Sequence, residues 1–398
     1  MRNFSLFKQQ SNEIVWTPAS KGFQLYLEQD PIEIVLGYEV DGLLKQSSFL
    51  ISGQYLIEID SLKIPIRYLG LYLSTFEAFQ DSLPEKEEFG FYLNSEIYFT
   101  RTQADLDHCY KIFSKTCILT NIEYDFVFIK EIDKGSTATV FLCESITSHK
   151  KFAVKSIKKS GIKPQTVQNL GREIQILRSI EHQNICKLYY VYENTENVYL
   201  VLEYLPHGNL LTRLSQRKKF SEQDCKVLIK NLLITLDYMH CRDIVHRDLK
   251  LENILMVGEN DTEFKLVDLG LAYDSHFLQN KKCGSPGYVA PEILREEDYD
   301  CKIDIFSSGV VLYILLHGYH PFRARNTKNL LYKNMECEIK ISKHVSEIVS
   351  EVLLLMMEPY QELRPSASRM LGHPWFSAKM QNICTFPTNQ SSNYSNKH

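Results

Sequence analysis

The chain has 398 residues, 44% of them hydrophobic, enough to bury two or three cores, and its formal net charge of −4 gives no polyanion-binding bias, so a nucleic-acid partner is not expected. Its 10 cysteines are scattered without a CxxC pair or a His-linked spacing, which argues against a zinc site or a disulfide framework and fits a reducing, cytoplasmic setting. No segment reaches the ~18 uninterrupted apolar residues of a membrane span, and the opening MRNFSLFKQQ has no apolar core after its charge, so no transmembrane segment is expected.

Residues 1–21 read as a polar, weakly patterned extension. From Gly22 an alternation sets in: Phe23, Leu25 and Leu27, then Ile32, Ile34 and Leu36, then Tyr55, Ile57 and Ile59, then Phe89, Phe91 and Leu93, and last Ile97 and Phe99. A period of two predicts half-buried strands. At Thr102-Gln103-Ala104-Asp105, a capping signal, the pattern changes to a helix whose Leu106, Cys109, Tyr110, Phe113 and Cys117 recur at three and four. Several antiparallel strands closed by one amphipathic helix over 22–122 resemble a pleckstrin-homology-type barrel. That family usually carries a Trp in its closing helix, where Cys109 stands here, and the cations that would grip an inositol phosphate, Lys45, Lys63 and Arg67, are dispersed among acids. The resemblance therefore implies a protein-contacting or structural module ahead of a phosphoinositide-binding one.

At Glu123 a second unit begins with no Pro/Gly/Ser-rich linker, so the first is expected to touch it or another protein. The segment Ile132-Asp133-Lys134-Gly135-Ser136-Thr137-Ala138-Thr139-Val140 joins the strands FVFIKEI and VFLCES, and alone fits an ordinary turn as well as a phosphate cradle. Lys155 is a lone cation at the end of the apolar strand FAVKSI. In the helix that follows, Val167, Leu170, Ile174 and Leu177 form an apolar stripe with Glu173 beside it. Gly171 weakens that helix by about 1 kcal/mol relative to Ala, which makes it easy to displace. The strand VYLVLEY ends at Glu203-Tyr204-Leu205, where Pro206-His207-Gly208 breaks the pattern, and a helix between Ser221 and Met239 buries Val227, Leu228, Leu232 and Leu236.

The stretch Ile244 to Leu255, IVHRDLKLENIL, concentrates chemistry. Asp248 can take or orient a hydroxyl proton, Lys250 is a cation two residues on, and Asn253 offers a hard amide oxygen to Mg²⁺. Farther on, the strand EFKLV runs into Asp268-Leu269-Gly270, which sets a carboxylate on a turn near that amide. Then come CGSPGYVAPE (Cys283 to Glu292), Asp304 opening a helix apolar nearly all round, Arg364, HPWF at 373–376, and a polar, disorder-like tail over 377–398.

The run His246 to Asn253 resembles the catalytic loop of eukaryotic protein kinases, and the other landmarks follow in that family's order over 123–376. The resemblance implies an α+β, bilobal fold, with a β-rich N-lobe over 123–204 and an α-helical C-lobe over 205–376, preceded by the small β-barrel with its closing helix. It implies a serine/threonine protein kinase that moves the ATP γ-phosphoryl group to protein hydroxyls with Mg²⁺. HGNL, HRDLKLEN, CGSPGYVAPE and HPWF are closest to the calcium/calmodulin-dependent kinase group, although the tail lacks the basic amphipathic helix of a calmodulin target. Carried over to this chain, Asp248 is the base, Lys155 and Lys250 neutralise phosphate oxygens, Glu173 pairs with Lys155, and Asn253 and Asp268 hold Mg²⁺. Ile132, Gly135, Val140, Ala153, Leu202 and Leu255 line the nucleotide pocket, with Glu203 and Leu205 at the hinge. Ser285 is expected against Asp248 and Lys250, Glu292 against Arg364, and Asp304 both capping its helix and tethering the backbone at His246.

The sequence departs from the family in several places. Asp133 and Ala138 replace the outer glycines of the phosphate loop, and Leu269 replaces Phe. Lys281 and Lys282 occupy the neighbourhood of the usual activating phosphothreonine. The activation segment, which the resemblance places beyond Asp268-Leu269-Gly270 and up to Glu292, is therefore expected to order without modification, Asp274 helping to balance Arg247, the alternative being a phosphate on Tyr273 or Ser275. Asn209 stands where kinases that prefer basic substrates place an acid, while Glu252 is kept, so a moderate preference for Arg before the acceptor is expected. The rival reading is a kinase-shaped binding module whose nucleotide site Asp133 and Ala138 have crippled.

Overall fold

The computed structural model describes residues 17–18, 32–40, 43–52, 55–63, 65–71, 74–83, 86–94, 96–135, 138–274 and 283–377. The alternation at Phe23, Leu25 and Leu27, together with Ser136, Thr137, Ser275, Lys281, Lys282 and the tail, falls outside them.

The first unit is antiparallel and has the strands β1 (Thr17–Pro18), β2 (Ile32–Val40), β3 (Leu43–Ser52), β4 (Tyr55–Ile59), β5 (Pro65–Gly70), β6 (Thr75–Leu83), β7 (Lys86–Leu93) and β8 (Glu96–Thr100), with β2 to β5 and β6 to β8 as two hairpin-connected runs. β1 joins at β5, and β2 pairs with both β3 and β8, so the first long strand meets the last. Alternation places Ile34 and Leu36 of β2 inside and leaves Ile32 and Val35 outside. On β4 the expected single face is wrong: Leu56 packs into one core and Ile57 and Ile59 into another, because both faces are covered. On β8 the phase is one residue off, and Tyr98, not Ile97 or Phe99, is fully buried. The amphipathic phenol explains this: its ring stacks on Phe91 at 5.4 Å while its hydroxyl donates to Glu96 at 2.6 Å.

Helix α1 (Gln103–Phe113) starts where the sequence signals it, with Thr102 and Asp105 exchanging side-chain and backbone hydrogen bonds. Leu106, Cys109 and Phe113 enter the core, Phe113 lying 5.2 Å from Phe76.

The next strand, β9 (Ile118–Leu119), runs parallel to β6 on one side and to β13 (Leu188–Glu193) on the other. Beyond β13 the order is β14 (Asn197–Glu203), β12 (Lys151–Lys158), β11 (Ala138–Ser145) and β10 (Phe126–Lys134), so that among the described residues one sheet of 14 strands crosses both units. They also share a core, in which Phe113 and Cys117 pack with Phe126, Phe152 and Tyr192. Tyr110 and Tyr192 both donate to the Asp125 carboxylate, at 2.8 and 2.6 Å. Helix α2 (Pro164–Ser179) lies against this sheet and buries Val167, Leu170 and Ile174.

The remainder is helical: α3 (Leu210–Arg217), α4 (Glu222–His240), α5 (Pro291–Leu294), α6 (Ile303–His317), α7 (Thr327–Glu336), α8 (Glu347–Met356), α9 (Ala367–Leu371) and α10 (Pro374–Ser377). α6 is buried along its whole length, as its all-round apolarity predicts. Two short antiparallel ladders, β15 (Ile244–Val245) with β18 (Tyr273–Asp274) and β16 (Ile254–Met256) with β17 (Phe264–Leu266), bracket the loop 246–253.

Candidate active site

Asp304 organises the loop. Its carboxylate accepts from the backbone N–H groups of His246 and Arg247, each at 2.9 Å, and contacts His240 Nε2 at 2.9 Å. It does not cap α6 as expected; the cap position is Lys302, which makes no capping hydrogen bond, and Asp304 in the first turn is turned toward the loop. That tether holds Arg247 in the left-handed region (φ 66°), where a non-glycine residue stays only if its surroundings compel it.

Asp248 is thereby presented with ordered donors. Its carboxylate accepts from Lys250 Nζ at 2.8 Å, Ser285 Oγ at 2.7 Å and Asn253 Nδ2 at 3.1 Å, and Lys250 also reaches Ser285 Oγ at 2.9 Å. Ser285 arrives because Gly284 has φ 95° and passes so close to the Arg247 carbonyl that a Cβ would lie 2.9 Å from it.

Lys155 closes the site from the sheet side. Its ammonium donates to Glu173 at 2.7 Å and to Asp268 at 3.1 Å, joining β12, α2 and the turn after β17. Burial by itself lowers the Lys155 pKa, but the two carboxylates outweigh it and raise the pKa above the ordinary lysine value. The same ammonium pulls the Asp268 carboxyl below the usual range against its burial. Gly270 permits the approach, since a Cβ there would meet Asp268 Oδ1 at 3.2 Å and Glu173 Oε2 at 3.4 Å.

Among the described residues no group of three or more His, Cys, Asp or Glu side chains could hold a metal by itself. The donors present suit a hard ion that keeps waters and shares phosphate oxygens: the Asp268 carboxylate and the Asn253 amide oxygen. The Asn253 side-chain nitrogen is committed to the Asp248 carbonyl at 2.8 Å, and the Val267 N–H donates to the Asn253 carbonyl at 3.0 Å, so the two donor residues sit on hydrogen-bonded segments.

Three of the residues expected around a nucleotide base, Val140, Ala153 and Leu202, stand on the neighbouring strands β11, β12 and β14. Val140 is the cross-strand partner of Lys155, and Ala153 that of Leu202. The Glu203 N–H donates to the Lys187 carbonyl at 3.0 Å, Leu205 follows on the half-buried connection, and Leu255 of β16 bridges to Asn209. Ile132 lies exposed on β10, and the Gly135 N–H closes the loop on the Ala138 carbonyl at 2.9 Å. Asp133 turns its carboxylate onto the N–H of Lys134 at 2.8 Å.

Three arrangements had no clear sequence signal. The ring of Tyr273 has guanidinium carbons at 4.0 Å from Arg172 of α2 and at 4.8 Å from Arg247. Arg247 further donates to the Leu271 carbonyl and the Tyr299 hydroxyl, while the Asp274 side chain expected to balance it falls outside the described residues. Arg178 reaches the Cys117 carbonyl at 2.6 Å. Asn209 is spent locally, its oxygen accepting from the Thr212 N–H as the cap of α3.

Comparison with known proteins adds independent support. Residues 126–376 match the protein kinase domain family. A probable serine/threonine-protein kinase 2 of Plasmodium falciparum is 41% identical over 264 residues, 65% of this chain and 51% of that protein, so this chain spans about half its length. Myosin light chain kinase A of Dictyostelium discoideum is 32% identical over 66% of this chain and 92% of its own. A calcium/calmodulin-dependent protein kinase type 1 of Macrobrachium nipponense is 36% identical over 58% of this chain and 69% of its own.

Proposed function

The chain belongs to the protein kinase family, and from that premise we propose that it is a serine/threonine kinase of the calcium/calmodulin-dependent type whose transfer step rests on Asp248, Lys250, Lys155, Asn253 and Asp268. The observation that carries this reading is the Asp248–Lys250–Ser285 triangle, with every edge between 2.7 and 2.9 Å.

Asp248 orients a substrate hydroxyl and accepts its proton as the oxygen attacks the γ-phosphorus, while the bond from that phosphorus to the bridging oxygen breaks and ADP leaves with the electron pair. Ser285 and Lys250 fix the carboxylate rotamer, and Lys250 neutralises charge on the group being transferred. Lys155, aimed by Glu173, neutralises the phosphates on the sheet side. Asn253 and Asp268 are the residues to hold Mg²⁺, which when bound supplies charge neutralisation between phosphate oxygens. Val140, Ala153 and Leu255 sandwich the adenine of ATP, with Leu202 at the back of the pocket, the backbones of Glu203 and Leu205 at the ring's edge, Ile132 among the nucleotide-binding residues and Gly135 over the phosphates. Asp133, turned onto its own loop, does not oppose the phosphates.

The first unit, β2 to β8 with α1, is read as a pleckstrin-homology-like module that serves the catalytic unit as a scaffold instead of gripping lipid headgroups. Supporting this, Lys63 is paired with Glu33 at 2.8 Å and the module's closing helix and β9 pack on the kinase sheet. Protein serine and threonine hydroxyls are its substrates, in the cytoplasm; among the described residues no helix is long and apolar enough to cross a membrane.

The test is phosphotransfer from radiolabelled MgATP to a generic basic peptide by the full chain and by Asp248→Asn. The variant is expected to lose about 10²- to 10⁴-fold in kcat, the usual contribution of a positioned base, while retaining nucleotide-induced thermal stabilisation. Stabilisation by MgATP with no turnover in the wild type would instead favour a nucleotide-binding module without catalysis.

A further inference from the structure

Glu173 reaches Lys155 only while α2 stays pressed against the sheet, and the ends of α2 add little to that packing. Its N-terminal cap, Lys163, makes no side-chain capping bond, Gly171 lowers its intrinsic helix stability, and it ends in extended backbone at Ile180. Its apolar stripe packs on Ile157, Val191, Val198 and Leu200 of the kinase sheet, and a further hold comes from outside the kinase unit. In the last turn Arg178 donates to the Cys117 carbonyl at 2.6 Å. One residue later Ile118, fully buried, packs with Val167, Leu170 and Ile174, the stripe that flanks Glu173. The acceptor is itself fixed: the Cys117 N–H donates to Phe113 at the end of α1, the Ile118 N–H donates to Ser74, and β9 is paired on both edges. Arg178 lies five residues beyond Glu173, about 7.5 Å along the helix, close enough for a rigid helix to transmit the restraint.

We infer that Arg178 is a positioning residue for phosphoryl transfer: by gripping the Cys117 carbonyl, with Ile118 beneath the helix, it makes the N-terminal unit hold α2 at the depth where Glu173 meets Lys155. The segment 117–119 is thus an activating clamp, and the N-terminal unit supports catalysis. This rests on the kinase reading above and adds a restraint from outside the kinase unit. Without the clamp α2 drifts outward, Lys155 keeps Asp268 and loses Glu173, and the ammonium no longer has a fixed direction.

The experiment uses the full chain and a double-mutant cycle of Arg178→Gln with Glu173→Gln, reading kcat and KM for MgATP, with hydrogen exchange of residues 164–179 measured without nucleotide. Arg178→Gln is expected to lower kcat/KM for MgATP about fivefold, equivalent to roughly 1 kcal/mol at 1.36 kcal/mol per tenfold, and to speed exchange in α2. Arg178→Lys, which still offers a donor, should recover most of the activity. In the Glu173→Gln background the Arg178→Gln effect should shrink to less than about twofold, because both act through one ion pair. An equal loss in both backgrounds, or unchanged activity together with unchanged exchange, overturns the clamp. Should Arg178→Gln fold poorly, Ile118→Val goes through the same cycle under the same criteria. Failure of the wild type to transfer phosphate would defeat the kinase reading, and the exchange measurement would still decide the clamp.

Discussion

Lys155 and Glu173, 18 residues apart in the chain, meet at 2.7 Å, and the same ammonium lies 3.1 Å from Asp268, 113 residues away. An ammonium on a flexible four-carbon stem needs such partners to keep one direction. Replacing Lys155 with Met is expected to lower kcat about 10²- to 10³-fold, the range for losing one preorganised electrostatic group. Glu173→Gln should be milder, roughly 10- to 100-fold, since Asp268 still holds the ammonium. Because the carboxylates keep the Lys155 pKa above its ordinary value, the group stays charged through neutral and mildly alkaline pH. A pH–rate profile showing activity lost below pH 9 through this lysine would contradict that.

Tyr273 ties three elements together. Its ring lies against Arg172 of α2 and Arg247 of the catalytic loop while its own backbone forms β18, so two guanidinium groups are met by a neutral π face. The start of the activation segment is therefore expected to order without a phosphate. Tyr273→Phe keeps the ring and should remain within about twofold of wild type, whereas Tyr273→Ala should lose roughly 0.5–2 kcal/mol of cation–π interaction and several-fold in activity. Phosphatase treatment of the wild type should leave the peptide-phosphorylation rate unchanged; a fall after treatment would show that a phosphate does this work.

Much of the site is legible in the sequence because it is local. Asp248, Lys250 and Asn253 lie within one short loop, and Asp268 follows a strand that pairs back on it, so spacing nearly determines their proximity. Glu173 beside an apolar stripe likewise requires only helical periodicity. What was not legible depends on long-range approach. Nothing in a sequence marks the carbonyl of Cys117 as an acceptor for Arg178, because every residue has a carbonyl. The phase of β8 differs from the sequence pattern for a chemical reason: Tyr98 counts as half polar in a pattern, yet it is buried once its hydroxyl finds Glu96. Asp304 looked like a helix cap by position, but two backbone N–H groups of the catalytic loop claim it first.

His240 gives the protein a pH-dependent support for that loop. Burial opposes its protonation, but the hydrogen bond to Asp304 prevails and raises its pKa from 6.5 to about 10. A group whose folded pKa is raised contributes stability in full below the unfolded value and loses it as pH climbs through the folded value. The contribution is thus complete below about pH 6.5 and disappears toward pH 10. Thermal melts between pH 6 and 10 should fall more steeply for wild type than for His240→Gln, and the variant should already be less stable at pH 7. Parallel curves for the two proteins would refute the assignment.

Arg364 locks the end of the activation segment to the helical core. Its guanidinium, 1% exposed, makes a two-pronged contact with Glu292 at 2.6 and 3.0 Å and donates to the carbonyls of Glu358 and Lys302. Removing it would strand a buried carboxylate and leave both carbonyls short of a donor, so Arg364→Met is expected to destabilise by about 3–5 kcal/mol in urea unfolding. Arg364→Lys should recover little, because one ammonium cannot reproduce a planar fork. The double variant Arg364→Met with Glu292→Leu removes both charges and should regain part of the loss. Ser285 and Glu292 belong to one short segment, so the single variants should also loosen the Ser285–Asp248 contact and lower kcat more than the KM for MgATP. A stability loss with kcat preserved would show that the two ends of the segment move independently.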